Sequence, residues 1–414
     1  MMRAGDVVSL AIEKPAAGGR MIARHEGRVV LVRGAIPGER VRARVSHMSR
    51  GVAHADAVSV EEPSPDRREW RADPLCGGCG YGHIAYPRQL DIKAAVIADA
   101  FARIGRLPLA SAVGVAASPE QGYRMRARLH VRGPRWGFFR EGTHEVCDAR
   151  TTGQLLPATC DALDRIVAAA RSLALESLQE IELAENADCS NRAVWLGGPS
   201  PFGRRALDRL AQVEQFSGVG AADGVRGNPY VSDVVEIGPA SIRLRRHVQA
   251  FFQGNRFLLS ALAAHVAGQI PSGGEVLDLY AGGGLFSAVS AAVRGAHVIA
   301  VEGDRIAAAD LSFNAAALTG VTAVHGAVEP YLAGGARRRF SGPFTIIADP
   351  PRTGLSPDAA KGVLGIAPAR LVYVSCDVAT LARDARHIVD AGYTLTRLDA
   401  FDLFPNTPHV ETIA

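Results

Sequence analysis

Hydrophobic and polar positions change their rhythm as the chain proceeds. Residues 6–12, 27–32, 39–45 and 55–60 are short β-type runs separated by glycine turns, and over 40–45 apolar and charged side chains alternate strictly. A period of two is the strand period, and four or five such runs at this spacing predict a small β-barrel. Between Pro87 and Arg106 the period lengthens: Leu90, Ala94, Ile97, Ala98, Phe101 and Ile104 mark one face of a helix that Gly105 stops. Residues 121–131 alternate again, with Tyr123, Met125, Ala127 and Leu129 on one face and Arg124, Arg126 and Arg128 on the other. Residues 154–245 mix helices and strands around a Gly/Pro-rich connection at 197–203 and show no chemical motif.

From Pro271 onwards the strands become continuous apolar runs, at 275–280, 296–301, 321–325, 344–348 and 371–375, with helices at 285–294 and ending near Asn314. Strands buried on both faces that alternate with helices predict an α/β fold with a Rossmann-like doubly wound, mostly parallel sheet. The expected division is a barrel over 1–62, a central α+β domain over 63–245 and a catalytic α/β domain over 246–414. Pro63-Ser64-Pro65-Asp66 reads as a linker, and helix 88–105 is the part of the centre expected to pack on the catalytic domain.

Composition adds limits more than identity. The 414 residues are 48% apolar and 21% charged, which excludes disordered and fibrous classes. A formal charge of +4 permits an anionic partner. Its placement says more: Arg40, Arg42 and Arg44 share the outward face of one barrel strand, and Arg124, Arg126 and Arg128 form a second stripe beside Tyr123 and Trp136. Either stripe alone also reads as a solvated face; two on separate modules point to phosphates and stacked bases, hence RNA. Six cysteines are too sparse for a secreted disulfide framework, and the most apolar window, 276–293, contains Asp278 and a glycine cluster. A cytoplasmic setting is expected, with no signal or membrane-spanning segment and no obligate protein partner.

Candidate chemistry gathers where the parallel strands end, because open α/β sheets bind ligands past those ends. The first strand ends at the turn Gly282-Gly283-Gly284, the second at Glu302, the fourth at Asp349-Pro350-Pro351-Arg352 and the fifth at Cys376. The glycines let a ligand approach the backbone, and an acid after the second strand can hold both ribose hydroxyls of a nucleoside. The turn lacks the dinucleotide spacing Gly-x-Gly-x-x-Gly, and nothing suggests hydride transfer. A lone cysteine is usually an inert small hydrophobe; Cys376 shares its rim with acids, and Glu411 follows near the end of the sequence. Cys76-Gly77-Gly78-Cys79 can bring two thiolates to one metal, with Cys147 the obvious third ligand and no neat fourth.

Several motifs together carry a resemblance. Phe251-Phe252-Gln253-Gly254-Asn255, Asp278-Leu279-Tyr280, Asp349-Pro350-Pro351-Arg352, Val374-Ser375-Cys376-Asp377 and His409-Val410-Glu411 occur in the order found in the RNA uracil-C5 methyltransferase family. Gly18-Gly19-Arg20 and the turn Pro37-Gly38-Glu39 resemble a TRAM domain, an oligonucleotide-binding (OB-type) barrel. With Cys-Gly-Gly-Cys, the whole most resembles the branch acting on 23S rRNA. The resemblance implies a class I S-adenosylmethionine-dependent methyltransferase domain behind a TRAM/OB-type barrel. It implies Cys376 as nucleophile at C6 of a flipped uridine and Glu411 as the base that removes the C5 proton. Gln253, Tyr280, Gly282, Glu302 and Asp349 would contact S-adenosylmethionine, and Phe251 would line the RNA pocket. Arginine at 352, where enzymes acting on base amino groups often carry an aromatic, steers away from those substrates.

That branch also carries a [4Fe-4S] cluster, for which Cys76, Cys79 and Cys147 are the matching ligands. Its further cysteine, several residues before Cys-Gly-Gly-Cys, is absent from residues 68–75 here. Cys160, Cys189, Asp73 or water would have to complete the set, or the site is degenerate and structural. Ala281, Leu285 and Asp377-Val378 also depart from the family pattern, without removing a group the reaction requires. The alternatives are a tRNA (uracil-5-)-methyltransferase of the same chemistry, a catalytically lapsed RNA-binding or RNA-folding protein, and a small-molecule methyltransferase, which the appended barrel disfavours.

Overall fold

The structure is a computed structural model that describes residues 2–414, so only Met1 of the expected barrel segment lies outside it. Strands β1 (Val7–Pro15), β2 (Met21–His25), β3 (Arg28–Arg33), β4 (Arg40–Ser49) and β5 (Val52–Glu62) close into a barrel in the order β1-β2-β3-β5-β4. Alternation places Val41, Ala43 and Val45 inside with Leu10, Met21 and Val30, and leaves Arg40, Arg42 and Arg44 outside. The Pro-Gly-Glu turn buries the Glu39 carboxylate, which accepts the Ile36 N–H (2.8 Å) and two bonds from Arg67 (2.6 and 2.7 Å). The turn thereby fastens the linker to the barrel.

Helix α1 (Tyr86–Arg103) follows the cysteine loop, and β6 (Val115–Ala116) follows α1. The helix forms as the spacing predicts, but its buried face differs: Gln89, Ile92, Lys93, Ile97, Ala100 and Phe101 are buried, while Ile104 is 46% exposed. The two polar residues go inside because they bond the C-terminal segment, a partner invisible to local periodicity. α1 packs on the catalytic part, as does β6, which is the outer strand of its sheet.

The centre is a seven-stranded sheet made of β7 (Arg126–Arg132), β8 (Arg135–Phe139), β9 (Val146–Asp148), β10 (Glu180–Glu185), β11 (Arg192–Gly197), β12 (Gly218–Ala221) and β13 (Gly224–Gly227). Helices α2 (Pro157–Ser172) and α3 (Arg204–Leu210) cover it through Leu163, Ile166, Leu207 and Leu210. The hairpin β14 (Tyr230–Ile237) and β15 (Ala240–His247) lies before residue 246 yet packs on the catalytic helices, its Val235, Ile242 and Leu244 joining their core.

The catalytic sheet takes its helices from α4 (Leu259–Gly268), α5 (Leu285–Arg294), α6 (Arg305–Ala315), α7 (Val328–Ala333), α8 (Pro357–Gly365) and α9 (Val378–Asp390). Its strands β16 (Glu275–Leu279), β17 (His297–Glu302), β18 (Val321–His325), β19 (Phe344–Ala348) and β20 (Arg370–Ser375) run parallel. The antiparallel β22 (Glu411–Ile413) lies between β20 and β21 (Asp399–Phe401), giving the order β18-β17-β16-β19-β20-β22-β21-β6. The doubly wound class holds. α9 packs against α1, and no helix among the described residues is long and apolar enough to cross a membrane.

Candidate active site

The turn after β16 is conformationally special. Tyr280 has φ +60°, and Gly284 at φ +90° faces Leu311, whose Cδ1 would lie 2.8 Å from an added Cβ. The left-handed region disfavours side chains, so strain at Tyr280 marks a position held for a reason other than stability. The Gly282 N–H donates to Glu302 Oε2 (2.8 Å) and the Asp304 N–H to Oε1 (2.6 Å), fixing the Glu302 carboxylate at the rim while leaving it further acceptor capacity. Asp278 is fully buried; Ser287 donates to its Oδ2 (2.5 Å), and its Oδ1 has no partner. Burial pushes this acid up to about 7, with Glu302 adding to the effect against the Ser287 bond. A glycine turn, a fixed acid beside it and an orphaned buried carboxylate oxygen fit a nucleoside cofactor carrying an amino-acid end.

Beyond β20 the ladder itself builds a pair. Val374 pairs with Ile413 and Ser375 with Thr412, so Cys376, the first residue past β20, and Glu411, the first residue of β22, adjoin at the end of this ladder. Burial pushes the Cys376 thiol up to about 11, the Glu411 and Asp349 carboxylates push the same way, and the Arg352 guanidinium opposes them. Glu411 is buried and held well above its ordinary range by that burial first and by Asp349 second, again against Arg352. Asp349 is raised to about 7 by burial and by Asp278. Burial thus shifts Cys376, Glu411 and Asp349 in the same direction, towards their protonated forms.

Gln253 is buried and donates to Asp349 Oδ2 (3.3 Å). Its loop is anchored by Asn255, whose Nδ2 donates to Ser118 Oγ (2.9 Å) and Leu403 O (3.1 Å). Phe251, at the head of the loop, is exposed, with the Arg126 guanidinium 5.7 Å from its ring centre. Asp377 caps α9 by accepting the Ala379 and Thr380 N–H groups (3.0 and 2.9 Å), so this departure from Asn-Pro supplies the helix with its N-cap.

The structure thus brings Cys376, Glu411, Asp349 and Gln253 to one place, with Tyr280, Gly282 and Glu302 on the adjoining rim. The arginine stripes fare unequally. Arg42 and Arg44 have no ion-pair partner among the described residues, and Arg40 meets Glu62 at 3.4 Å. On the second stripe Arg128 pairs with Glu180 (2.9 Å), Arg126 lies 3.8 Å from Glu182, and Arg124 lies over Phe138 and Phe404. Glutamates on the neighbouring β10 therefore absorb much of the charge that an isolated strand pattern offers to phosphate. Sequence reasoning left Asp278 and Arg352 off the list of site residues. Both were visible at strand ends, but only their surroundings show one as an orphaned acid and the other as the cation beside Cys376 and Glu411.

The metal expectation is corrected. Cys76, Cys79 and Cys147 do cluster with Ala72, Trp70 and Phe138, but Cys76 is disulfide-bonded to Cys147 and Cys79 is a separate buried thiol. Cys160 and Cys189 are free and stand elsewhere, Cys160 in the α2 core and Cys189 beside Arg256. Asp73, the nearby acid, is spent on Arg140 (2.5 Å) and the Leu75 N–H (2.9 Å). Among the described residues no group of three or more His, Cys, Asp or Glu is arranged to hold a metal ion. These residues do not fit a four-iron cluster, which needs about four ligands.

Known proteins resemble this chain in sequence and in fold. The tRNA (Uracil-5-)-methyltransferase family profile matches residues 225–413, and the TRAM domain profile matches residues 3–58. An uncharacterized RNA methyltransferase of Corynebacterium efficiens is 32% identical, the match covering 99% of this chain and 94% of the relative. The 23S rRNA (uracil(1939)-C(5))-methyltransferase RlmD of Pseudomonas putida is also 32% identical, over 98% of this chain and 92% of its own. The crystal structure of Pyrococcus abyssi tRNA (uracil-54, C5)-methyltransferase with S-adenosyl-L-homocysteine shares the fold, with TM-score 0.77, 22% identity and 98% of both chains covered. The chain belongs to the S-adenosylmethionine-dependent RNA uracil-C5 methyltransferases, and that activity is its own.

Proposed function

We propose that this enzyme methylates C5 of a uridine in 23S rRNA through a covalent bond between Cys376 and C6, with Glu411 removing the C5 proton. The observation that carries the mechanism is the meeting of Cys376 and Glu411 at the end of the β20–β22 ladder, where the Glu411 carboxylate acts on the Cys376 thiol. C5 of uracil is a poor nucleophile. Attack of the Cys376 thiolate on C6 makes an enolate whose C5 is nucleophilic, and S-adenosylmethionine supplies the methyl group. Glu411 then takes the C5 proton, the enolate re-forms, and Cys376 is expelled. Arg352 favours the thiolate and the carboxylate over their protonated forms. Asp349, held by Gln253, orients the uracil edge, and Phe251 offers an exposed ring to the flipped base. Tyr280, Gly282, Glu302 and the orphaned Asp278 oxygen hold the cofactor. Arg42 and Arg44, unpaired on the barrel, and Arg124 above its two rings face the RNA.

The choice of 23S rRNA rests on the RlmD relatives of matching length. The tRNA reading draws on the name of the matching family and the likeness of fold. Incubation with S-adenosylmethionine and 5-fluorouridine-substituted 23S rRNA or tRNA distinguishes them. Fluorine cannot leave as a proton, so the true substrate is trapped as a denaturation-resistant adduct through Cys376. An adduct with tRNA alone overturns the rRNA assignment, and none with either RNA overturns the covalent mechanism.

A further inference from the structure

The cysteine trio sits where a cluster does not fit, and it is connected to the active site. The Trp70 indole packs against Cys76, Cys79 and Cys147, and so tightly over Gly82 that even a Cβ there would collide with it. Cys147 lies on β9 in the central sheet, and Cys76 opens the loop that leads to α1, their Cα atoms 5.8 Å apart. The Gly77 N–H donates to Phe139 O (3.0 Å), and Gln154 donates to Gly78 O, so the start of this loop is secured to the central domain.

Its far end holds the segment that carries Glu411. The Tyr81 N–H donates to Asn406 O (2.8 Å). Gln89 Nε2 donates to Tyr81 O (3.1 Å), Ile84 O (3.0 Å) and Asn406 Oδ1 (2.9 Å), while its Oε1 accepts the Asn406 N–H (2.9 Å). Arg68 joins Gly82 O (2.8 Å) to Asn406 Oδ1 (2.7 Å). Pro408 sits against Gly19 of the barrel, where an added Cβ would lie 2.8 Å away. The strand β22 that starts at Glu411 is only three residues long, so these contacts hold the approach to Glu411 from outside.

We propose that Cys76 and Cys147 form a thiol–disulfide site in place of a metal cluster, and that the bond between them stiffens the Tyr81–Asn406 connection that positions Glu411. The second half rests on Glu411 being the base. In the forward step a small-molecule disulfide is the oxidant. Its S–S bond breaks as the Cys76–Cys147 bond forms, and the two cysteine protons end on its two released thiols. The reverse exchange with a dithiol opens the site.

The test uses the full chain purified anaerobically, assayed for iron and sulfide, then equilibrated with oxidised glutathione or with dithiothreitol. Expected are substoichiometric iron, a Cys76–Cys147 cross-link by peptide mapping in the oxidised sample only, and faster amide exchange in the 402–414 peptides after reduction. Single-turnover methyl transfer is expected to slow by about tenfold on reduction, since small misplacements of a catalytic group cost that much or more. Cys147→Ser is expected to behave as reduced protein under both conditions. About four iron and four sulfide per chain, or free Cys76 and Cys147 after oxidation, overturns the site. A cross-link with unchanged exchange at 402–414 overturns the coupling. Because the cross-link and the exchange are read without RNA, they stand or fall apart from the methylation mechanism.

Discussion

Cys376, just past the end of β20, and Glu411, at the start of β22, adjoin beyond the Ser375–Thr412 pair that closes the ladder between these antiparallel strands. The Glu411 carboxylate is close enough to act on the Cys376 thiol, which suits one side chain to serve C6 of a uracil and the other C5. These roles give the two residues separate fates on substitution. Cys376→Ala is expected to lower turnover by about 10^4-fold or more, because no thiolate remains to activate C5. Glu411→Gln is expected to allow attack and methyl transfer but to stall proton removal, so a covalent complex with ordinary, unfluorinated RNA accumulates on denaturing gels. A Glu411→Gln enzyme that turns over normally would remove Glu411 from the base role.

The proton inventory of the site sets its pH dependence. Cys376, pushed up to about 11, must lose a proton to attack, and Glu411, held above its usual range, must lose one to act as base. Both requirements favour higher pH, so kcat/KM should rise steadily between about pH 6 and 9. Arg352 opposes both shifts, and Arg352→Gln should move the profile to higher pH and lower kcat/KM near neutrality by about tenfold. A profile that is flat over this range in the native enzyme would contradict the assignment.

Asp278 costs the folded chain stability, because its carboxyl is fully buried with one oxygen unpartnered. Its folded pKa, about 7, is raised above the ordinary 3.8, so the folded chain favours the protonated acid. Stability from this group is present below the ordinary value and is lost as pH rises through the folded value. Asp278→Asn should therefore stabilise the cofactor-free protein by a few kcal/mol, at most about 4, near pH 8, with little gain near pH 4. The same substitution should weaken S-adenosylmethionine binding measured by calorimetry. Equal gains in urea midpoint at both pH values would show that ionisation is not the cause.

What was legible in the sequence followed from local period. The barrel strands, the parallel runs and the rim positions of Glu302, Asp349 and Cys376 declare themselves because each strand's end is marked within a few residues by glycine, proline or an acid. What was hidden depends on distant partners. The α1 face was misread at Gln89 and Lys93 because their bonds reach Asn406 and Asp402, 317 and 309 residues away. The Arg126–Arg128 stripe looked free because Glu180 and Glu182 lie on a strand that becomes its neighbour only on folding. The cysteine spacing correctly suggested proximity, but it did not reveal that Cys76 bonds Cys147 and that Trp70 packs against them.

Lys93 and Asp402 show most directly how the helix before the central sheet supports the catalytic end of the chain. Lys93 Nζ donates to Asp402 Oδ1 (2.5 Å) and to Phe404 O (3.2 Å), with both charged side chains buried. Burial pulls the Lys93 pKa down and pushes Asp402 up, each partner opposing the other's shift. Breaking such a pair leaves one charge stranded, so Lys93→Met should cost about 3–5 kcal/mol of stability. Removing the second charge as well relieves that penalty: Lys93→Met with Asp402→Leu should recover most of the loss in a urea melt. If the double variant is as unstable as the sum of the singles, the pair is not coupled as the geometry requires. If it recovers stability but leaves methyl transfer slow, the pair's remaining contribution is to position, through Asp402 and Phe404, the segment that ends at Glu411.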